Sequence, residues 1–88
     1  MESKKLEALL MAVDLGSFTK AAEVLGYTQS GLTHMMNSLE NELGIGLLIR
    51  SKSGVRLSSA GRRLLPDIRA FVEAADRLEV STQPPTWQ

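Results

Sequence analysis

Polar side chains able to form hydrogen bonds recur at short intervals between residues 29 and 37. Amide, hydroxyl and imidazole groups can bond the edges of DNA bases, and an Asn or Gln amide can pair with adenine through two hydrogen bonds. A helix lying in the major groove needs such a face at its N-terminal half. An ordinary solvated helix face has the same composition, so the residue types alone leave both interpretations open. The side chains are those of Gln29, Ser30, Thr33, His34 and Asn37.

The apolar residues of the same stretch predict the helix that would carry this face. They recur at intervals of four, three and four residues, the spacing of one side of a helix. Thr28 is a suitable N-cap and Gly44 a suitable stop, so we expect a helix ending at about Leu43. The apolar side would then pack on the core, opposite the polar one. Its residues are Leu32, Met36, Leu39 and Leu43.

Two shorter helices are predicted before this one. The first should be capped by Ser3 and end at Gly16, and the second should be capped by Ser17 and end at Gly26. The small residues Ala21 and Ala22 would allow the next helix to approach closely. A tight glycine-containing turn between the second and third helices is typical of a helix-turn-helix.

A β-hairpin is predicted after the third helix. Two short apolar runs, residues 47–49 and 55–57, flank a turn that contains glycine. The hairpin carries Arg50, Lys52 and Arg56, which could place positive charge near a DNA backbone or minor groove. Charged residues also discourage edge-to-edge strand pairing, and the sequence alone favours neither explanation.

A long fourth helix should follow, capped by Ser58 and covering residues 59–80. Pro66 lies past its first turn, so we expect a kink or an irregular start. Its apolar residues recur at intervals of four and three, which suggests a seam for pairing with a second copy. The first half could instead cover the chain's own core, and both roles can hold together. The candidate dimerisation residues are Leu64, Ile68, Phe71, Val72, Ala75 and Leu78.

Composition narrows the classes of function. The 88 residues suffice for one small domain, and the chain has no cysteine and one histidine, so we expect no metal site and no cofactor. No apolar run reaches the roughly 20 residues of a membrane span, and the N-terminus lacks a signal-peptide pattern, which favours a soluble cytoplasmic protein without a membrane partner. An enzyme is not expected, and Glu40 and Glu42 are interpreted as a solvated helix end.

The formal net charge is zero, but the charge is unevenly distributed. Residues 1–47 carry a net charge of −3, residues 48–72 carry +5 and residues 73–88 carry −2. Electrostatic fields act within a Debye length of about 8–10 Å, so a basic segment can meet phosphate in a neutral chain.

Four stretches of the sequence together resemble the LysR-type bacterial transcriptional regulators: GSFTKAAEVL, TQS, SLENELGIGLLIR and VRLSSAG. The resemblance covers about residues 4–80. It implies a mainly α winged helix-turn-helix of three helices plus a two-stranded wing, followed by a long linker helix. It further implies a homodimer, usually with antiparallel linker helices, that binds a pseudo-palindromic double-stranded DNA operator in the nucleoid. The third helix would enter the major groove and the wing would lie near the minor groove.

The resemblance also assigns roles by position. The polar face described above would contact bases. We expect three parts along the chain: a DNA-binding domain over residues 1–58, a linker helix over 59–80 and a flexible tail over 81–88, which includes Trp87. Family members continue into an effector-binding domain that this chain lacks, so we expect an excised domain or a naturally short protein without inducer binding. The residues expected at the DNA backbone are Ser17, Thr19, Thr28, Arg50, Lys52, Ser53 and Arg56.

The third predicted helix, which would be the recognition helix, departs from the family pattern. The family often has Ala or Pro at the position of Gly31, Arg at that of His34, and polar or basic residues at those of Met35, Asn37 and Ser38. A charge-poor helix leaves open an alternative function, a truncated dimerisation module that pairs with or antagonises a full-length regulator.

Overall fold

The computed structural model describes residues 2–82. Three helices are followed by an antiparallel two-stranded hairpin and a long helix, so the predicted mainly α architecture is confirmed. The last helix runs two residues beyond its expected end, and residues 83–88 of the predicted tail, with Trp87, lie outside the described part. The elements are α1 (Ser3–Leu15), α2 (Phe18–Leu25), α3 (Gln29–Leu43), β1 (Leu48–Ser51), β2 (Gly54–Leu57) and α4 (Ser59–Thr82).

The helix ends follow the sequence signals with one exception. The hydroxyls of Ser17, Thr28 and Ser58 each accept a hydrogen bond from the backbone amide three residues on, at 3.2, 3.0 and 3.0 Å. The glycines predicted to end α1, α2 and α3 all adopt left-handed backbone conformations at those ends. The predicted cap at Ser3 is wrong, because Ser3 is already helical and Glu2, which makes no side-chain cap, precedes the helix.

The core lies between α1, α2 and α3 and is closed by the start of the hairpin. Its largest fully buried side chains come from α1, α3 and the segment before β1. Alanines of α1 and α2 are also buried, which lets the helices approach closely without cavities. This packing fixes α3 against the first two helices. The five large residues are Leu9, Leu32, Met36, Leu39 and Leu47.

The two halves of α4 have different surroundings. Ile68 is buried in the core of its own subunit, and Leu64 and Val72 are partly buried against that core. Phe71 and Leu78 are exposed. The helix is continuous through Pro66, so the irregular start expected there is wrong. With 24 residues it is about 36 Å long, and it contributes to a molecule that measures 51 × 27 × 20 Å.

The tightest packing of α4 occurs at Gly61, in its first turn. A Cβ atom at this position would collide with the carbonyl oxygen of Leu47 and would lie 2.9 Å from Cδ2 of Leu57. The backbone amide of Ser58 donates to the same Leu47 carbonyl at 2.8 Å. Gly61 therefore allows the start of α4 to lie directly against both ends of the hairpin.

We predict that Gly61→Ala lowers the free energy of unfolding by about 1–3 kcal/mol, because the added methyl group forces the helix away from Leu47. Alanine normally stabilises a helix by about 1 kcal/mol relative to glycine. A lower stability of Gly61→Ala would therefore be opposite in sign to the effect of helix propensity. Urea denaturation followed by circular dichroism would measure it. Ala60→Gly is the matched control and should show only the propensity cost, and an unchanged or higher stability of Gly61→Ala would contradict the packing argument.

Candidate nucleic-acid interface

The apolar stripe of α3 determines which way its polar face points. Leu32, Met36 and Leu39 are completely buried and Leu43 is half-buried. On the other side, Gln29, Ser30, His34 and Asn37 are exposed, and Thr33 is half-buried. The structure thus brings the five polar residues predicted from the sequence to one side of α3, with Thr33 at the margin.

The N-terminal end of α3 lies next to the start of α2. The Gln29 side-chain amide donates a hydrogen bond to the Thr19 hydroxyl, which joins the two helices at the surface. The hydroxyls of Thr28 and Ser30 are 3.4 Å apart. Ser17 accepts its capping bond through oxygen, so its hydroxyl hydrogen stays available for an acceptor such as phosphate. Hydroxyl and amide groups are therefore concentrated at this corner.

The register of the hairpin gives its two faces different roles. Opposite residues of an antiparallel pair share a face. Leu48 lies opposite Leu57, and Arg50 lies opposite Val55. Since Val55 and Leu57 are buried, this face is turned toward the body of the protein. Arg56, opposite Ile49, is on the outer face, and Lys52 and Ser53 form the turn.

Arg50 links the hairpin to both helices of the helix-turn-helix. Its Cζ atom lies 4.6 Å from the centroid of the Phe18 ring in α2. Its Nη2 atom donates to Oδ1 of Asn37 in α3 at 3.1 Å. Arg50 and Lys52 also line a groove of about 350 Å³ that runs between the hairpin and the Ser17–Thr19 corner.

The cations of the basic segment fall into two groups. Besides Arg50, Arg62 donates to the Leu57 carbonyl at 3.2 Å, and Arg69 lies 3.6 Å from Asp14. Within residues 2–82, no hydrogen bond or ion pair engages the side chains of Lys52, Arg56 or Arg63. Within this second group, Lys52 lies in the turn of the hairpin and Arg56 lies on its outer face.

The interpretation of Glu40 and Glu42 as a solvated helix end is wrong for Glu40, whereas Glu42 is exposed as expected. Glu40 is half-buried, and one carboxylate oxygen accepts the backbone amides of Leu47 and Leu48 at 2.5 and 3.1 Å. Glu42 pairs with Lys5 of α1 at 2.7 Å, and the hydrogen bond from Lys5 lowers the pKa of the Glu42 carboxyl. A signal was available for Glu40, because it lies four residues after the buried Met36 and thus beside the apolar stripe.

Residues 2–82 show neither a metal centre nor a membrane-spanning helix. No group of three or more His, Asp or Glu side chains in that part is arranged to hold a metal ion. None of its helices has the combined length and apolar character needed to cross a membrane.

Comparisons with known proteins agree on one family. Residues 3–62 match the family model described as "Bacterial regulatory helix-turn-helix protein, lysR family". The nitrogen assimilation regulatory protein nac of Escherichia coli is 37% identical over 81 residues, which cover 92% of this chain and 27% of that protein. The transcriptional regulator YofA of Bacillus subtilis is 37% identical over 83 residues, 94% of this chain and 29% of its own length.

Solved structures with the same fold include DNA complexes. The DNA-binding domain of CbnR in a DNA complex is 33% identical, with a TM-score of 0.80, and the match covers 94% of this chain and all of that one. The BenM DNA-binding domain with catB site 1 DNA is 32% identical, with a TM-score of 0.83, and covers 93% and 92% of the two chains. The chain thus has the length of these isolated domains and only 27–29% of the length of the curated relatives.

We predict that Glu40→Ala lowers the free energy of unfolding by about 2 kcal/mol, because two amides at the entry to the hairpin lose a charged acceptor. Urea denaturation would measure the loss. Glu23→Ala, on the exposed side of α2, is the matched control and should change stability by less than about 0.5 kcal/mol. Equal stability of the two variants would show that Glu40 does not hold the hairpin.

Proposed function

The chain belongs to the lysR family of bacterial regulatory helix-turn-helix proteins, and from this we propose that it binds double-stranded DNA in a sequence-specific manner. In this proposal α3 enters the major groove and the wing, residues 48–57, lies near the minor groove. The observation that carries the proposal is the exposed polar face of α3, together with a hairpin whose Lys52 and Arg56 have no hydrogen-bond or ion-pair partner among residues 2–82. None of residues 2–82 covers the side chains of Gln29, Ser30, His34 and Asn37, all of which are exposed.

Base contacts are assigned to the polar face of α3, since amides, hydroxyls and imidazole can all bond base edges. Gln29 and Ser30, in the first turn, lie where recognition helices usually contact bases. His34 and Asn37 follow one and two turns later, and Thr33 has only part of its side chain available.

Backbone contacts are assigned to the corner between α2 and α3 and to the wing. The first amides of a helix have no intrahelical acceptor, which suits phosphate. Lys52 and Arg56 contribute charge that no described residue neutralises. The assigned residues are Ser17, Thr19, Thr28, Lys52, Ser53 and Arg56.

The DNA complexes of CbnR and BenM support this assignment, because those two isolated domains match this chain over nearly their whole length. The curated relatives are regulators that extend well beyond the matched part. We accordingly propose a role in bacterial transcription regulation, exercised at the nucleoid.

We also propose that the chain forms a homodimer through α4. Phe71, Leu64 and Ile68 line an apolar groove of about 220 Å³ together with Leu6 of α1 and Leu43 of α3. Farther along α4, Leu78 is 65% exposed and has no core of its own subunit to pack on. The α4 helix of a second copy would cover both the groove and Leu78. The exposed second half of the predicted seam would then lie in the dimer interface.

Charge along α4 favours an antiparallel arrangement of the two copies. Residues 59–70 carry three arginines and one aspartate, and residues 71–82 carry one arginine and three acidic residues. Antiparallel pairing brings each basic half to the partner's acidic half, whereas parallel pairing would place like charges side by side. Exposed charges contribute little energy individually, so their main effect is on orientation.

We predict that the protein selects a pseudo-palindromic sequence from a random DNA pool and that its affinity falls with added salt. Each neutralised phosphate contributes about −0.9 to the slope of log K against log salt concentration. Lys52→Gln should therefore make the slope of a dimer shallower by about 2, because each subunit loses one contact. Fluorescence anisotropy from 50 to 200 mM salt would measure the slope.

Glu23→Gln, on α2, is the control for this measurement and should leave the slope unchanged. No selected sequence, or binding that is independent of salt, would overturn the proposed function. Binding that appears only with a longer family member present would favour the dimerisation module instead.

We predict that Leu78→Glu weakens self-association at least tenfold, because a buried carboxylate in the pair of α4 helices lacks a partner. Sedimentation equilibrium would measure the dimer dissociation constant. Val24→Glu is the matched control, since Val24 is 63% exposed but lies on α2. A dimer of native strength in Leu78→Glu would exclude pairing along this part of α4.

A further inference from the structure

Arg50 occupies a position unlike that of the other hairpin cations. Its register places it opposite the buried Val55, on the face of the hairpin turned toward the body. The guanidinium lies over the Phe18 ring, with its carbon atom 4.6 Å from the ring centroid, and it also bonds Asn37. Three elements that are separate in sequence, β1, α2 and α3, meet at this one side chain.

We infer that Arg50 is a positioning residue, which fixes the amide of Asn37 for reading a base instead of binding a DNA phosphate. The inference rests on the proposed function and deepens it. It removes Arg50 from the predicted backbone contacts and gives it a role in specificity.

The chemistry of the contact fixes the orientation of the amide. A guanidinium has only hydrogen-bond donors, so the atom of Asn37 that faces Arg50 must be the carbonyl oxygen Oδ1. The NH2 group then points away from Arg50. Asn37 is exposed and lines a surface depression with His34 and Asn41, so the residue is accessible to a ligand.

An Asn amide held in one orientation can pair with fewer kinds of base edge than an amide that is free to rotate. With Oδ1 engaged by Arg50, Asn37 offers donors, and donors pair with purine N7, guanine O6 or thymine O4 in the major groove. Cytosine presents its N4 amino donor there and should be disfavoured at this position. A free Asn amide could rotate and offer its oxygen, which would weaken that discrimination.

The position of the guanidinium over the Phe18 ring favours arginine in this role. A planar guanidinium can lie on an aromatic face while donating from its edge, which a compact ammonium group cannot do. The body-facing register holds the side chain in this place before DNA binds, so part of the ordering cost has already been met in the free protein.

The test compares Arg50→Met, Asn37→Ala and the double variant on the DNA selected by the native protein. Asn37→Ala should reduce the preference against cytosine at one base pair by about 5-fold to 150-fold. Arg50→Met should reduce the preference at that same base pair and leave the slope of log K against log salt unchanged. In the double variant, removal of Arg50 should add less than a twofold further loss, because both residues act through one contact.

Lys52→Met provides the contrasting control, with a shallower salt slope and an equal loss on all DNA sequences. A salt slope that becomes shallower in Arg50→Met by as much as in Lys52→Met, or additive losses in the double variant, would overturn the inference and leave the proposed function intact. Failure of the native protein to bind any selected DNA would overturn both. Circular dichroism checks folding, and if Arg50→Met does not fold, Arg50→Lys takes its place, with the preference lost although the charge is retained.

Discussion

The burial of one side of α3 is the constraint on which the rest of the molecule depends. Leu32, Met36 and Leu39 are completely enclosed, so α3 cannot rotate about its axis without exposing them. That fixed rotation places Gln29 and Asn37, eight residues apart, on the same exposed side of the helix. The geometry of the candidate interface is thus a consequence of hydrophobic packing, and the polar residues need no stabilising role of their own.

Besides the burial of Leu47, Val55 and Leu57, hydrogen bonds to backbone groups hold the hairpin to this framework. Glu40 accepts two amides at its start, and the Ser58 hydroxyl donates to the Gly46 carbonyl at 2.7 Å. At its tip, the Val55 amide donates to the Gly16 carbonyl at 3.2 Å, where a Cβ on Gly54 would collide with the same oxygen. These contacts fix both ends of the wing, so its cations have a defined position relative to α3.

Much of this arrangement could be predicted from the sequence, because it follows from local rules. The spacing of apolar residues gave α3 its two faces, and Ser or Thr before a helix identified three of the four helix starts correctly. Two local predictions, the Ser3 cap and the irregular start at Pro66, are wrong, and the contacts that local rules miss are long-range. The spacing of Glu40 from Met36 indicates a position beside the apolar stripe, but it does not indicate that Glu40 accepts amides seven and eight residues away. Residue type alone groups Arg50 with Lys52 and Arg56, whereas the alternation of a β-strand places Arg50 and Arg56 on opposite faces of the hairpin.

The division of the cations affects how affinity and specificity arise. Internal contacts engage Arg50, Arg62 and Arg69, and α3 itself carries no lysine or arginine, so Lys52 and Arg56 are the hairpin cations without a hydrogen-bond or ion-pair partner among residues 2–82. A single copy should then bind DNA weakly and depend on polar contacts for discrimination. In the proposed homodimer, pairing through α4 would make the second binding event intramolecular, which would raise avidity without any new contact to DNA. The exposed half of α4 and the charge-poor α3 can therefore be understood together. Weak binding by one subunit would restrict strong binding to DNA sequences that present both half-sites at the correct spacing.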